Sequence, residues 1–243
     1  MNPMERLRLT TATAFLRARI SPEGYLGLQL TLGAAVIIVF AWAFGHIAED
    51  VVTADHITVV DIEVAQWLHG HAQPAITRYV LALTHLHGPG CILAYCVLIA
   101  AYLWSRRDRL WLVNLLLAIP GGMSLNAILK QVFHRARPSF SDPLLSLTTY
   151  SFPSGHAAGA TLLYGFAIAY LASRVASWHW RILGVIAAAL MVSAVALSRM
   201  YLGVHYLSDV LAAISASGAW LALVLTATST WRRRYAVRSR QSH

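Results

Sequence analysis

Long apolar stretches recur along the chain and dominate its pattern. Six windows are rich in apolar residues, at 25–44, 92–104, 110–129, 155–172, 182–197 and 210–227. A helix needs about 20 such residues to cross the roughly 30 Å hydrocarbon layer of a bilayer. The second window is short and needs the flanking residues 87–91 to reach that length. The pattern predicts an all-α polytopic membrane protein, a six-transmembrane-helix bundle that forms a single domain over residues 1–243.

The segment between the first two windows, residues 46–87, carries a weaker helical pattern. Its apolar residues recur at helical spacing before and after Pro74, which predicts two short interfacial helices lying on the membrane surface. The segment also contains acidic residues and histidines that suggest a metal site. Only His69 and His71 are close in sequence, whereas metal ligands form a tight constellation. The preferred interpretation of the segment is a solvated connector.

The arginines give the predicted bundle an orientation. The chain is 58% hydrophobic and only 12% charged, with a net charge of +9. Most arginines precede the first window or follow the sixth. Others lie between the second and third windows, or between the fourth and fifth. By the positive-inside rule these connections are cytoplasmic, with residues 1–22 and 231–243 as basic cytoplasmic tails. This dispersal explains the positive charge and excludes nucleic acid as the partner.

The first of three polar clusters follows the third apolar window. Lys130, the only lysine, lies seven residues before Arg137, and Pro138 ends the predicted helix. Lysine and arginine seven residues apart share a helix face, provided that the helix continues that far, and can converge on one anion. A cation inside a membrane helix is costly without such a role, although both side chains could instead snorkel to the interface. Arg135 and His134 lie outside this spacing and are expected at the interface or in solvent.

The second cluster, Pro153-Ser154-Gly155-His156, precedes the fourth apolar window. Proline and serine before an apolar run indicate a helix start, where the first backbone N–H groups have no partner within the helix and attract anions. Gly155 permits close approach of a ligand, Ser154 adds a hydroxyl, and His156 adds a titratable group. A plain helix cap beside an interfacial histidine is the alternative.

The third cluster joins the fifth and sixth windows and contains Ser198-Arg199, His205 and Asp209. Histidine and aspartate four residues apart share a helix face, so Asp209 can hold one imidazole nitrogen of His205 and leave the other free to attack. An intramembrane aspartate needs a partner, and His205 is the nearest one in sequence. The alternative is a pair that only fastens helices together.

Taken together, the order Lys-x6-Arg-Pro, Pro-Ser-Gly-His and Ser-Arg-x5-His-x3-Asp resembles the signature of the type-2 phosphatidic-acid phosphatase superfamily, with every position filled between Lys130 and Asp209. The resemblance implies a metal-independent lipid phosphate phosphatase that needs no cofactor and works through a phosphohistidine. It implies His205 as nucleophile, Asp209 as the residue that orients it, and His156 as the acid that protonates the leaving oxygen. The residues implied to hold the phosphoryl oxygens are Lys130, Arg137, Ser154, Gly155 and Arg199.

The resemblance leaves the substrate open within membrane lipids. Undecaprenyl pyrophosphate and glycerolipid phosphates are preferred, and a lipid A phosphatase or phosphotransferase of the same fold is the alternative. Vanadate-dependent haloperoxidases share the signature but are soluble, and a transporter or silent lipid-binding protein would not need a nucleophile, an acid and an orienting carboxylate. The expected location is the bacterial inner membrane, with both termini cytoplasmic and the site on the periplasmic side. The oligomeric state stays open.

Overall fold

The computed structural model describes residues 27–145 and 147–241, with side chains described as far as Tyr235. Within these residues it contains eight α-helices and no β-strand, which confirms the predicted all-α class. In chain order the helices are α1 (Leu28–Thr53), α2 (His56–Gly70), α3 (Pro74–Leu86), α4 (Pro89–Ser105), α5 (Arg109–Phe133), α6 (Gly155–Arg174), α7 (Trp178–Tyr201) and α8 (Leu207–Gln241).

Five of these helices are long and apolar enough to cross a membrane: α1, α5, α6, α7 and α8. Helices α3 and α4 meet at a bend of 47° and give a sixth span if the pair is counted as one. Helix α4 begins at Pro89, so residues 89–91 extend the short second window, whereas His87 ends α3; with 17 residues α4 is not by itself among the candidate spans. The described chain is therefore a polytopic membrane protein with five or six candidate spans.

Two predicted segments differ in extent from the helices observed. Helix α1 continues to Thr53, beyond the end of the first apolar window, and packs along α8. Helix α8 continues to Gln241, so residues 231–241 of the predicted tail at 231–243 are helical. The other predicted tail, residues 1–22, lies outside the described residues.

The segment between the first two windows folds into α2 and α3, and the prediction of a solvated connector is wrong for α2. Asp61, Val64 and Leu68 follow one another at helical spacing, and α2 packs with this side against α7 and α8. Asp61 is 0% exposed. A helix that was predicted to lie on the membrane surface, within a solvated connector, therefore contributes a carboxylate to the interior.

Helix α6 lies at the centre of the bundle, in contact with α5, α7 and α8. Small residues cover its first turns, and Ala157, Ala158 and Ala160 are completely buried. In a membrane, where apolar contact with lipid competes with helix association, small residues stabilise packing by letting helix backbones approach closely. This packing fixes the N-terminus of α6 beside the ends of α5, α7 and α8, where the polar clusters lie.

Candidate active site

The three polar clusters converge at one end of the bundle, around the loop that joins α5 to α6. Ser154 N donates a hydrogen bond of 3.0 Å to the Asp209 carbonyl oxygen, which joins the second cluster to the third. Arg137 Nη1 donates 2.6 Å to the Val204 carbonyl oxygen and lies 3.2 Å from His205 Nε2, which joins the first cluster to the third. Residues far apart in sequence thus form one polar site.

His205 and Asp209 form the centre of this site, and both are almost fully buried, with 2% and 0% exposure. His205 Nδ1 lies 3.2 Å from Asp209 Oδ2, and the same oxygen accepts hydrogen bonds from Ser151 Oγ at 2.6 Å and Tyr206 N at 2.9 Å. The expectation that both residues lie on one helix is wrong, because α8 begins at Leu207. Asp209 instead bonds back to the backbone before the first turn of α8, which stabilises the helix start and holds the loop that carries His205.

Lys130 and Arg137 reach the site by different routes. Helix α5 ends at Phe133, and His134 turns the chain through a left-handed conformation with φ of 48°. The expected continuous helix face from Lys130 to Arg137 is therefore absent. Both side chains still donate to the Tyr150 carbonyl oxygen, from Lys130 Nζ at 2.7 Å and from Arg137 Nη2 at 3.1 Å. The loop reversal rather than helical spacing brings the two cations together.

Two buried polar atoms at the predicted phosphate-binding residues have no hydrogen-bond partner within the described residues: Ser154 Oγ and Arg199 Nε. Arg199 is 2% exposed, and its Nη1 donates 2.6 Å to Thr84 Oγ1 on α3. Buried polar groups in folded proteins are nearly always paired, so unpaired ones call for an explanation. A hydroxyl and a guanidinium with spare donors fit an anionic ligand.

The start of α6 follows the geometry that the sequence predicts. Ser154 is the N-cap residue and makes no capping bond with its side chain, so the hydroxyl stays available. Gly155 is the first helical residue, and His156 in the first turn is partly exposed. A Cβ atom at Gly88 would lie 3.8 Å from His156 Nε2. The imidazole of His156 therefore faces the bend between α3 and α4.

Arg135 was expected at the membrane interface or in solvent, and the structure contradicts this. Its side chain is 14% exposed and donates to two carboxylates, with Nη1 at 2.7 Å from Asp209 Oδ1 and Nη2 at 2.7 Å from Asp61 Oδ2. Asp61 Oδ1 also accepts a hydrogen bond of 2.8 Å from Ser208 N. One signal in the sequence could have identified Asp61: an acidic residue in register with the apolar side of α2. No local pattern identified Arg135.

The charge at the site favours an anion. Burial lowers the pKa of the His205 imidazole to about 4, although the adjacent Asp209 carboxylate raises it, so this imidazole is neutral at pH 7. Burial likewise lowers the pKa of Arg137, which stays charged because a guanidinium is protonated throughout the physiological range. The site therefore contains four cations but only two carboxylates, Asp61 and Asp209. The cations are Lys130, Arg135, Arg137 and Arg199.

The positive charge at this site comes from side chains. Among residues 27–145 and 147–241, no three histidine, cysteine, aspartate or glutamate side chains gather as the ligands of a metal ion do. The arrangement can bind a dianion, place a neutral imidazole against it, and hold that imidazole from behind with a carboxylate. These are the requirements for phosphoryl transfer to histidine.

Comparison with known proteins points to the hydrolysis of lipid phosphates. The model of the PAP2 superfamily matches residues 111–233. Phosphatidylglycerophosphatase B of Bacillus subtilis (strain 168) is 34% identical over 145 residues, which cover 59% of this chain and 70% of that protein. Decaprenylphosphoryl-5-phosphoribose phosphatase of Mycolicibacterium smegmatis is 41% identical over 86 residues, covering 34% of this chain and 41% of that protein.

A solved structure extends the similarity to the fold. The crystal structure of a transmembrane PAP2-type phosphatidylglycerolphosphate phosphatase from Bacillus subtilis superimposes with a TM-score of 0.69 at 26% identity. The alignment covers 78% of this chain and 94% of that one. The family match, the shared fold and the apolar helices therefore agree. The chain belongs to the PAP2 superfamily and is an integral membrane enzyme of the lipid phosphate phosphatase class.

Proposed function

We propose that this protein hydrolyses a phosphomonoester or pyrophosphate on a membrane lipid through a phosphohistidine at His205. The observation that carries the proposal is the environment of this imidazole. Its Nδ1 faces the Asp209 carboxylate and its Nε2 faces the Arg137 guanidinium, at 3.2 Å in each case. A carboxylate at Nδ1 favours the tautomer with the proton on that nitrogen, which leaves the lone pair of Nε2 for attack on phosphorus.

The proposed phosphate site is made of the side chains and backbone that surround this nitrogen. Phosphoryl transfer depends mainly on positioning and on positive charge around the equatorial oxygens. Arg137 currently points at Nε2, so in the productive complex its guanidinium turns to a phosphoryl oxygen and frees the lone pair. The unpaired atoms of Ser154 and Arg199 then also gain a partner. The proposed phosphate-binding residues are Lys130, Arg137, Ser154, Gly155 and Arg199.

The proposed reaction has two steps. In the first, His205 Nε2 attacks phosphorus, the bond from phosphorus to the leaving oxygen breaks, and His156 donates a proton to that oxygen. In the second, water attacks the phosphorus of the phosphohistidine and gives its proton to His156, and inorganic phosphate leaves His205. His156 is partly exposed in the first turn of α6. This position supports the role, because the leaving group that His156 protonates must depart from the site.

The relatives support a membrane lipid as the substrate. One relative is named for a glycerolipid phosphate and another for a decaprenyl phosphosugar, so both preferred lipid classes occur among them. We favour the glycerolipid phosphate, because a solved structure named for such a phosphatase has the same fold over most of its length. A prenyl pyrophosphate such as undecaprenyl pyrophosphate is the second candidate, and a lipid A phosphate is the third.

The purified protein is expected to release inorganic phosphate from a lipid of this panel in the presence of excess chelator, because lysine and arginine supply the positive charge. Vanadate should inhibit, because it mimics five-coordinate phosphorus near the transition state. The assay compares phosphatidylglycerophosphate, phosphatidic acid, undecaprenyl pyrophosphate and lipid A in detergent micelles. Activity that chelator abolishes and magnesium restores would contradict a metal-independent mechanism. Release from none of the lipids would contradict the function.

We further propose that α3 and α4 act together as one broken span, that the single domain has six spans in the bacterial inner membrane, and that both termini are cytoplasmic. The arginine distribution supports this orientation, which places the loop from α5 to α6 on the periplasmic side. Helix α2 then lies near the outer interface.

This topology predicts which positions react with an impermeant thiol reagent in intact cells. In a background without Cys91 and Cys96, Ser141→Cys in the α5–α6 loop should be labelled from outside. Arg106→Cys between α4 and α5 should be labelled only after permeabilisation. Both positions are exposed in the structure, so accessibility depends on the side of the membrane. If Arg106→Cys were labelled from outside and Ser141→Cys only after permeabilisation, the proposed orientation would be contradicted.

A further inference from the structure

Four residues behind His205 form a hydrogen-bonded network: Asp61, Arg135, Ser208 and Asp209. Of these, only Asp209 is a position that the three motifs specify. Arg135 bridges Asp61 on α2 and Asp209 on α8. Ser208 connects the same groups, because its hydroxyl donates to Asp61 and accepts a hydrogen bond of 2.6 Å from Arg135 Nη1. The network therefore runs from α2, through the start of the loop after α5, to the carboxylate that contacts His205.

The burial of this network makes its pairing obligatory. Asp61 and Asp209 are both 0% exposed, and a carboxylate removed from water is strongly destabilised unless it is paired and hydrogen-bonded. Arg135 is held in turn by stacking on Tyr206, with its guanidinium carbon 4.4 Å from the ring centroid. The bridging guanidinium thus has a fixed position between the two carboxylates.

The network also determines how Asp209 presents its oxygens. Arg135 occupies Oδ1, so Oδ2 is the oxygen that faces His205 Nδ1. Because each oxygen has its own partner, the plane of the Asp209 carboxylate is fixed. Because a small misplacement of a reacting group costs a large factor in rate, the direction in which Oδ2 points bears directly on catalysis.

We infer that Asp61 and Arg135 are positioning residues for the histidine nucleophile, acting on His205 through Asp209. Asp61 aligns the Arg135 fork, Arg135 fixes the Asp209 carboxylate, and Asp209 aims the imidazole at phosphorus. Helix α2 thereby becomes part of the support of the active site. The inference rests on the proposed function, since it assigns a role in attack by His205.

A double-mutant cycle distinguishes this role from simple attachment of α2 to the bundle. Asp61→Asn keeps the size of the side chain but removes the charge that aligns Arg135. Its expected effect is a loss of about tenfold in kcat with KM nearly unchanged, because the phosphate site is intact while the imidazole is misaimed. In an Asp209→Asn background the same substitution should cost less than about twofold, since residues that act through one another are not additive.

The matched control is Glu63→Gln, which removes a charge from an exposed position on the same helix and should leave kcat unchanged. Thermal unfolding of each purified variant reports its folding. If Asp61→Asn does not fold, Arg135→Lys carries the same cycle, because lysine keeps the charge but cannot bridge two carboxylates as a planar fork. Equal losses in both backgrounds, or a loss confined to KM or to thermal stability, would overturn the inference. A wild-type protein that releases no phosphate would instead refute the proposed function, and the inference with it.

Discussion

Replacement of His205 by alanine should remove nearly all phosphate release, by roughly 10⁴-fold or more, which is the size of loss that follows removal of a nucleophile from a covalent mechanism. The loss should be independent of the leaving group, because the attacking nitrogen is missing whichever oxygen departs. A rapid acid-free quench of the wild type with labelled lipid should trap a phosphate adduct that is acid-labile and base-stable. The His205→Ala protein should trap none.

His56→Ala is the matched control for this substitution. The His56 side chain is fully exposed at the start of α2, and its removal should change neither turnover nor the trapped adduct. Trapping of the same acid-labile adduct on His205→Ala would refute the assignment of the nucleophile. Retention of phosphate release with a natural lipid would refute it as well.

Replacement of His156 by alanine should lower turnover of a lipid phosphate on the order of 10²–10⁴-fold, the usual contribution of a general acid. The expected cause is loss of the proton that neutralises the departing alkoxide of the lipid. An aryl phosphate such as 4-nitrophenyl phosphate has a leaving group that departs without protonation. With this substrate, the substitution should slow formation of the phosphohistidine far less than it does with the lipid. Rapid-quench kinetics of this first step measure the rate for both substrates.

The two substrates serve as each other's control, because the same purified His156→Ala protein is measured with both. A fold or binding defect would reduce both rates alike, whereas loss of an acid reduces only the rate that needs a proton. Equal losses with the lipid and the aryl phosphate would therefore remove His156 from the acid role. A normal rate with the lipid would do the same.

The position of Arg135 shows why the network behind the nucleophile could not be predicted from the sequence. Arg135 lies two residues before Arg137, and both follow the end of α5. Had the helix continued, the two side chains would have pointed in different directions and only Arg137 would have faced Lys130. The left-handed turn at His134 removes that periodicity, so the direction of each arginine depends on the carboxylates and carbonyls that surround it.

The burial of Asp61, the partner of Arg135, likewise could not be predicted from the sequence. Its spacing with Val64 and Leu68 places it on the apolar side of α2, and the sequence contains that register. Whether this carboxylate is exposed or buried depends on its partner Arg135, which lies 74 residues later in the chain. Burial and pairing are decided together, because neither the carboxylate nor the guanidinium is tolerated in the interior alone.

The sequence by itself determined the helical class, the approximate positions of the membrane spans and the motif residues of the site. These features depend on local properties: apolar runs must be long enough for a bilayer, and a helix start presents free N–H groups wherever it occurs. Tertiary structure alone decided that Lys130 and Arg137 meet through a loop, that His205 precedes α8, and that Asp61 and Arg135 support Asp209. The physical reason is that ion pairs and hydrogen bonds between distant segments form only where packing excludes water and brings complementary groups into contact, and no periodicity within one segment encodes its partner.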